Sequence, residues 1–466
     1  MRKVTIIPVV AISIAAICLF TLPATNANSD NKPSAKNITF TKDVAPIFFK
    51  QCAECHRAGE IAPFSVMSYK DVRPWAKSIR EKVVSREMPP WHADPTHGDW
   101  LNDRRLTERE IDSIIAWVDG GAQEGDPKAL PPAPNFTDAW EIGKPDMVFT
   151  MPEEFSLPAS GADDYIYFRV PTNFTEDKWV QAAEFRPGNK RVVHHAVVLI
   201  ETPSMHNAAK AGARSRGLDE QKAPTLFEAL PGNMFRVDGT VRRVKDDAPV
   251  MDDGCSAPGG GGLGGSAGNM LLGVYAPGRN ADVWPAGTAK RIQAGSNLIF
   301  QMHYAKTTGK PEKDRTSVGL IFAKAPVEKM IESKDVTNFF IKIPAGAENH
   351  EATACYTFQR DVELVNFMPH MHMRGKDMKY EVVYPDSRHE TVLSVKYNFN
   401  WQTLYKLKKP LPVPKGSRLV VTGHFDNSSK NKYNPDPAKP VRWGEPTYDE
   451  MLVGFVDYIR EKPKDP

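Results

Sequence analysis

The segment Val-Val-His-His-Ala-Val-Val-Leu-Ile, residues 192–200, decides the fold class of the larger part of this 466-residue chain. It is short, rich in β-branched residues and aliphatic except for two histidines, as is typical of a buried β-strand. Similar runs occur at residues 165–170, 297–304 and 418–425, and Pro and Gly turns separate them. Many short strands between such turns predict all-β sandwiches of the jelly-roll type from residue 138 onward.

This β-type region is too long for one sandwich, because a single hydrophobic core stops growing at roughly 250–300 residues of chain. We therefore divide it after the apolar run at residues 320–322. The division predicts a first sandwich over residues 138–325 and a second over residues 326–466. The formal net charge is only +3, and no clustered basic face is evident in the sequence, so a nucleic-acid partner is not expected.

Upstream of the β-type runs, residues 38–126 show helical periodicity. Thr107 and Glu110 have the spacing of a capping box, and Gly120 follows the helix that they start. An apolar stripe runs along that helix: Ile111, Ile114, Ile115 and Val118. A Pro-rich stretch at residues 127–137 is interpreted as a linker. The sequence thus predicts a multidomain chain with a small all-α domain followed by two all-β sandwiches.

The motif Cys52-Ala-Glu-Cys55-His56 lies within the helical block. This C-x-x-C-H pattern is the attachment signature of c-type haem, in which two thiols add to the porphyrin and the adjoining imidazole becomes an axial ligand. A thioredoxin-like redox pair is the alternative, but that motif belongs to a strand–helix context and does not need the histidine. The motif predicts one covalent haem c, and residues 38–126 resemble a class I-type cytochrome c domain.

The second axial ligand of this haem is expected some tens of residues later. Met88 lies in Arg-Glu-Met-Pro-Pro-Trp, where two prolines hold the backbone extended so that the thioether can be presented from a loop. A Met/His pair raises the reduction potential relative to ligation by two histidines. His92 and His97 are competing donors.

The N-terminus has the features of an export signal. Basic residues at positions 2 and 3 precede an apolar run over residues 4–22 and a small-residue stretch that ends at Ala27. This order predicts a signal peptide over residues 1–27 and a periplasmic or secreted protein, with membrane contact only if the peptide stays uncleaved. In such a compartment Cys255 and Cys355 could form a disulfide, but sequence alone does not pair them.

Six of the twelve histidines fall in or beside β-type runs: His194, His195, His303, His370, His372 and His424. Imidazole suits copper, zinc and iron, so this clustering indicates a metal without naming it. Histidines 370 and 372 are two residues apart, and on a strand they would point to the same face and bind one ion together. Histidines 194 and 195 are adjacent and would diverge unless the strand bulges there.

Met451, in Thr-Tyr-Asp-Glu-Met-Leu, offers a thioether near the C-terminus. A set of histidine and methionine ligands favours copper over zinc, because thioether sulfur stabilises Cu(I) while imidazole also serves Cu(II). The alternative is that Met451 is a core residue of the last strand.

Taken in order, these motifs resemble the copper type II ascorbate-dependent monooxygenases, the family of the peptidylglycine and dopamine β-monooxygenases. The resemblance extends over most of residues 138–466. It implies that one set of histidines holds an electron-transfer copper in the first sandwich: His194, His195 and His303. It implies that a second set holds the oxygen-activating copper in the second sandwich: His370, His372 and Met451.

The sequence also departs from that family. The peptidylglycine enzyme holds a substrate carboxylate with an arginine and polar residues, where this chain has Met368, Val453 and Phe455. A peptide with a C-terminal glycine is therefore not the expected substrate. His424 stands where those enzymes have a cysteine, and it is a second-shell donor, an additional ligand or a structural residue.

These features lead to the hypothesis of an exported haem–copper monooxygenase. It would hydroxylate a C–H bond of a small-molecule substrate with O2, using electrons from a donor that pass through the fused haem. Tethering would raise the effective concentration of this electron source to about the millimolar range. The alternative is an electron-transfer or copper-binding protein of the same fold without oxygenase activity. A zinc hydrolase is disfavoured by Met451 and by the haem motif.

Overall fold

The structure is a computed structural model. It describes residues 38–136, 139–161, 164–207, 228–229, 234–236, 250, 252–255, 271–277, 281–306, 308–444 and 447–462. The predicted signal peptide, residues 1–27, lies outside the described residues. Among those described, no helix is long and apolar enough to span a bilayer.

The N-terminal block is helical. A π-helical turn (Phe40–Val44) leads into the helices α1 (Ala45–Gln51), α2 (Tyr69–Val72), α3 (Ala76–Val84) and α4 (Glu108–Asp119), and two 3-10 turns occupy Arg73–Trp75 and Pro127–Ala129. The capping box of α4 is confirmed, because Thr107 and Glu110 each accept a hydrogen bond from the other's backbone N–H. The apolar faces of these helices share one small core that includes Phe48, Ile114 and Trp117.

Strands dominate the rest of the described chain, which confirms the predicted predominance of β-structure. Its first half contains β1 (Met147–Thr150), β2 (Phe155–Leu157), β3 (Asp164–Pro171), β4 (Lys178–Arg186), β5 (Val193–Glu201), β6 (Glu228–Ala229), β7 (Met234–Arg236), β8 (Leu271–Tyr275), β9 (Ala281–Val283), β10 (Thr288–Ile292), β11 (Asn297–Tyr304), β12 (Glu312–Asp314) and β13 (Ser317–Phe322). Its second half contains β14 (Lys329–Thr337), β15 (Lys342–Ile343), β16 (His350–Thr357), β17 (Val362–His370), β18 (Gly375–Val383), β19 (His389–Lys396), β20 (Tyr405–Val413), β21 (Arg418–Phe425), β22 (Val441–Arg442) and β23 (Val453–Glu461).

Three larger sheets organise these strands. A nine-stranded sheet runs in the order β1-β13-β4-β10-β14-β23-β17-β20, with β9 beside β4, and so it contains strands of both halves. A six-stranded sheet, β6-β7-β3-β11-β5-β8, covers it in the first half, and a four-stranded sheet, β16-β21-β18-β19, covers it in the second. The parallel pairing of β10 with β14 joins the halves into one sheet.

The strands of the four-stranded sheet show why this sequence folds into layers. Buried and more accessible side chains alternate along β18 and β21, so one face of each strand packs on the core while the other meets solvent. Hydrophobic cores lie between the layers of each half, and they are built from aliphatic and aromatic residues of both facing sheets.

The helical block is packed against the second sandwich rather than held apart from it. Trp91, Ala93 and Trp100 lie in the block predicted as residues 38–126, yet they belong to the core of the second sandwich. The Trp100 ring lies 6.2 Å from that of Phe367 and 5.5 Å from that of Tyr405. Residues 91–102 thus join the two parts, which the sequence pattern did not reveal.

Cys255 and Cys355 form a disulfide, with their Cα atoms 4.9 Å apart. This pairing answers the question that the sequence left open. The bond connects a loop ahead of β8 with β16 across a sequence separation of 100 residues, and so it ties the first half of the β-structure to the second.

Trp100 provides a test of this packing. Only 2% of its surface is exposed, whereas the neighbouring Leu101 is 69% exposed. We expect Trp100→Ala to lower the free energy of unfolding by about 3–5 kcal/mol, because it leaves a large cavity in the core. Calorimetric melting of the whole protein measures the effect. Leu101→Ala is the matched control and should change stability by less than about 0.5 kcal/mol; equal melting of the two variants would contradict the packing.

Candidate metal centre

Two neighbouring strands of the six-stranded sheet carry the first set of histidines. β5 and β11 are antiparallel, and His195 lies directly opposite His303. The register then shifts, so that Tyr304 pairs with Val193 and His194 becomes an extra residue on β5. This is the β-bulge that the adjacent histidines required, because a bulge redirects a side chain that would otherwise point to the opposite face.

The three imidazoles lie close enough to share one ion. Their candidate ligand atoms all fall within 4.8 Å of one another. The Nδ1 atom of His195 lies 3.2 Å from Nδ1 of His303 and 3.4 Å from Nδ1 of His194. A tetrahedral ion bound at about 2.0–2.1 Å keeps its ligand nitrogens roughly 3.4 Å apart. The spacing of the nitrogens therefore fits a transition-metal ion.

Burial favours the neutral form of His195, which lies at the centre of this set. His195 and His303 are buried, and His194 is half-buried. Burial lowers the pKa of His195 well below its usual value, and the neighbouring His303 and His194 lower that pKa further. A neutral imidazole retains the lone pair that a metal requires.

The second pair lies at the end of β17. His370 is the last residue of the strand and His372 lies in the turn after it, so the pair does not share a regular strand as the spacing had predicted. Their rings are nevertheless 5.2 Å apart. The Nδ1 atom of His370 lies 2.8 Å from Oε1 of Gln402, and Nδ1 of His372 lies 3.3 Å from the carbonyl oxygen of Asp449. These bonds leave Nε2 of each ring available for a metal.

Burial also keeps the second pair neutral. It lowers the pKa of His370 to about 4, although the hydrogen bond to Gln402 opposes the shift. Burial lowers the pKa of His372 well below its usual value, and the neighbouring His370 adds to this effect. Both rings are therefore uncharged at neutral pH, which is the form that could bind a metal.

A buried carboxylate holds the turn after His370 against the segment that contains Met451. Glu450 accepts hydrogen bonds from the backbone N–H groups of His372, Arg374 and Met451. Burial raises the pKa of Glu450 to about 7. Met451, half-buried, packs against the core of the second sandwich. Its backbone is thus fixed through Glu450 to that of His372.

The two sets form one group. The rings of His195 and His370 are 6.4 Å apart. The ring of Phe399 stacks on that of His194 at 5.2 Å and lies 6.5 Å from His303 and 6.4 Å from His372. We call these five histidines the histidine cluster: His194, His195, His303, His370 and His372.

An apolar contact between the halves brings the sets together. Leu271 and Val274 of β8 pack against Met368 of β17 and Leu404, and Phe455 joins the same contact. Met368 and Phe455 are two of the positions at which the sequence departs from the peptidylglycine enzyme. The third, Val453, pairs in the sheet with His370 and is buried.

His424 lies on β21 in a hydrogen-bond network with two acidic side chains. Its Nδ1 atom is 2.6 Å from Oδ1 of Asp377, and its Nε2 atom is 3.2 Å from Oε2 of Glu351. Both ring nitrogens therefore face carboxylates. Of the three roles that the sequence left open, this arrangement favours the structural one.

The motif Cys52-Ala-Glu-Cys55-His56 borders a cavity of about 430 Å³. Many of the side chains that line this cavity are apolar: Phe48, Ile61, Ala62, Pro63, Phe64, Val66, Trp75, Ile79 and Val83. Nδ1 of His56 lies 3.1 Å from the carbonyl oxygen of Phe64, which leaves Nε2 free to bind iron. Met88 also lines the cavity.

Two other observations bear on the identity of this motif. Cys52 caps the C-terminal end of α1, and burial raises the pKa of its thiol to about 12. Burial also raises the pKa of the Cys55 thiol, although the neighbouring Arg104 opposes this shift. A redox-active pair needs a thiolate, which burial at this site disfavours. His92 lines the cavity together with Met88. His97 does not line it, and its backbone carbonyl accepts a hydrogen bond from the Trp100 indole N–H.

Sequence reasoning did not identify Phe399 and Gln402. Both come from the loop between β19 and β20, in the stretch Asn-Phe-Asn-Trp-Gln at residues 398–402. Neither residue is a metal ligand by type, and no spacing rule connects them to the histidines. An aromatic residue in an Asn-rich loop was the sole available signal.

Comparisons with known proteins found one family match, described below, and otherwise only weak likenesses. No curated protein matches the chain. Among solved structures, the major capsid protein P2 from bacteriophage PM2 is 5% identical, with 65% of this chain and 99% of that chain covered and a TM-score of 0.20. The VP2 subviral particle of infectious bursal disease virus is 8% identical, with 71% and 74% covered and a TM-score of 0.18. Likenesses this weak carry no argument.

The remaining finding is a family match. Residues 332–465 match the model described as copper type II ascorbate-dependent monooxygenase, C-terminal domain. The matched range contains His370, His372 and Met451. Over this range the chain is similar to the C-terminal domain of the copper type II ascorbate-dependent monooxygenases, which implies copper and, in general terms, a monooxygenase-like oxidoreductase.

Proposed function

We propose that this protein is an exported haem–copper monooxygenase that hydroxylates a C–H bond of a small molecule. The reaction is R–H + O2 + 2e⁻ + 2H⁺ giving R–OH and H2O. The observation that carries the proposal is the convergence of five mostly buried histidines from both halves of the β-structure on one site. The family match over residues 332–465 supports copper as the metal.

Two sets of ligands would hold the copper. His194, His195 and His303 would hold an electron-transfer ion, and the close spacing of their nitrogens supports this assignment. His370, His372 and Met451 would hold the ion that supplies oxygen activation when bound. Neutral imidazoles and a thioether suit both Cu(I) and Cu(II). Gln402 orients His370, and the Asp449 carbonyl orients His372.

The helical block would carry a covalent haem c as the source of electrons. Cys52 and Cys55 would form its thioether bonds, and His56 and Met88 would be the axial ligands, with His92 as the alternative to Met88. The cavity beside these residues, the free Nε2 of His56 and the high pKa of Cys52 support haem over a redox-active thiol pair. The apolar side chains of the cavity would shield the haem from water, and the Phe64 carbonyl would fix the orientation of the His56 imidazole.

The substrate would be a small molecule that is not held by a carboxylate, because this chain lacks the carboxylate-binding residues of the peptidylglycine enzyme. Met368, Val453 and Phe455 are apolar, and two of them pack into the contact between the halves. This packing also favours a second candidate, an electron-transfer protein without oxygenase activity. Oxygen uptake coupled to a product heavier by one oxygen atom, measured after incubation with periplasmic extract, separates the two candidates.

The first prediction concerns metal content. We expect two copper ions and one iron per chain, because each histidine set holds one copper. His303→Ala should lower copper to about one ion, since it removes the residue opposite His195. His424→Ala is the matched control and should retain both ions. Elemental analysis measures both variants, and stoichiometric zinc in place of copper would contradict the proposal.

The second prediction concerns haem attachment. The colour of the protein should resist acid–acetone extraction, because thioether bonds hold the porphyrin, and the double variant Cys52→Ala with Cys55→Ala should lose it. Met88→Ala should remove the weak sulfur-to-iron band near the red end of the spectrum, whereas His92→Ala should keep that band. Colour that extracts fully would exclude covalent haem, and the absence of the band from wild type would make His92 the better ligand.

The third prediction separates the two roles open to Met451. If its thioether binds the oxygen-activating copper, Met451→His should keep copper bound, favour Cu(II) and slow oxygen activation. Reduction of the other copper should persist, since its ligands are untouched. If Met451 is only a core residue, the variant should instead lower stability by about 1–3 kcal/mol through an unsatisfied polar group. Copper analysis, stopped-flow reduction and thermal melting distinguish these cases, and normal turnover with a lowered melting temperature would exclude the ligand role.

A further inference from the structure

We propose that Phe399 is the ring through which an electron passes from the haem to the copper held by His194, His195 and His303. The turn at residues 398–401 would thus bridge the haem cavity and the histidine cluster. This inference rests on the proposed function, because it requires both the haem and the copper.

One side of this turn borders the haem cavity, and the other contacts the histidine cluster. Asn398 and Trp401 line the cavity beside the Cys-x-x-Cys-His motif. The Trp401 N–H donates to the Asn398 carbonyl at 2.9 Å, which closes a tight turn. Phe399 lies between these two residues in the chain, and its ring stacks on that of His194 with centroids 5.2 Å apart and planes at 23°. Three residues of one turn therefore contact both sites.

Hydrogen bonds hold the segments beside this turn to the helical block. The Lys396 N–H donates to the carbonyl of His92, itself a residue of the cavity wall, at 3.1 Å. Asn102 donates from Nδ2 to the Leu404 carbonyl at 2.7 Å and accepts from the Lys406 N–H at 3.0 Å. The strands on both sides of the turn are thus fixed to the block that would carry the haem.

The chemistry of the step is simple. One electron would pass from ferrous haem to Cu(II) and give ferric haem and Cu(I), with no bond made or broken and no proton moved. Electron tunnelling weakens steeply with distance and crosses empty or water-filled space poorly. An aromatic ring packed on a ligand of the acceptor copper provides a dense path over the last part of the route.

Phe399 could instead serve only to hold the His194 ring in position, and the two roles have different consequences. A purely structural residue would change the copper site itself, and its loss would be seen in copper content and in the Cu(II) electron paramagnetic resonance spectrum. A bridging residue would change the rate of transfer while the spectra of both metal groups stay the same.

The test uses full-length protein loaded with haem and copper, under anaerobic conditions. A light flash in the presence of a deazaflavin donor reduces the haem, and haem absorbance then reports its reoxidation by Cu(II). Copper-free protein should keep its haem reduced. We expect Phe399→Leu to slow reoxidation by about tenfold or more with unchanged copper and haem spectra, and Phe399→Tyr to restore most of the rate, since the protein controls the path between cofactors.

Phe339→Leu is the matched control. Phe339 is also partly buried in the second sandwich, but its ring contacts Trp443 at 4.7 Å. This variant should reoxidise its haem at the wild-type rate. Slowing of the same size in this control would overturn the specific role of Phe399.

Each remaining outcome is decisive. Wild-type reoxidation in Phe399→Leu would overturn the bridge and leave the proposed function intact. A reduced haem that persists in copper-loaded wild type would overturn both. If Phe399→Leu fails to hold copper, Trp401→Leu tests the same route from the cavity side; a slowed rate there supports the bridge, and an unchanged rate overturns it.

Discussion

The apolar contact between the halves of the β-structure is the interaction on which the candidate site depends. Leu271 and Val274 on one side meet Met368, Leu404 and Phe455 on the other. Each half supplies its own histidines, and this contact packs the halves together where the rings of the two sets lie within 6.4 Å. Burial of apolar area favours contact between the halves but does not fix their relative orientation, because the hydrophobic effect is non-directional. The orientation is set by the nine-stranded sheet, in which the pairing of β10 with β14 joins the halves.

Polar groups then set the positions of single candidate ligands. The buried Glu450 could be costly without partners, but its carboxylate accepts three backbone N–H groups and thereby joins the turn of His372 to the segment of Met451. Arg374, also buried, donates to Asn427 and to the Tyr448 carbonyl. Glu450 and Arg374 thus form one connected network, which holds two distant segments of the sequence together beside His372.

Sequence predicted the parts of this site that depend on local periodicity. The strand of residues 192–200, the bulge required by His194 and His195, and the capped helix that starts at Thr107 all follow from short-range rules. The turn position of His372 was not predicted, because strand spacing alone does not show where β17 ends. Phe399 was missed for a different reason. Its ring contacts His194, which lies about 200 residues earlier in the chain, and no local sequence pattern encodes such a contact.

The same distinction explains why the helical block looked separate. Trp91 and Trp100 follow a haem-type motif and precede a Pro-rich stretch, so composition assigns them to the first block. In the structure their rings fill the core of the second sandwich, and Lys190 pairs with Glu60 to fasten the block to the first half as well. A flexible tether would supply only a raised effective concentration, with the distance between partners free to vary. Docking through buried tryptophans fixes that distance, so a group carried by this block would stand in one orientation toward the histidines.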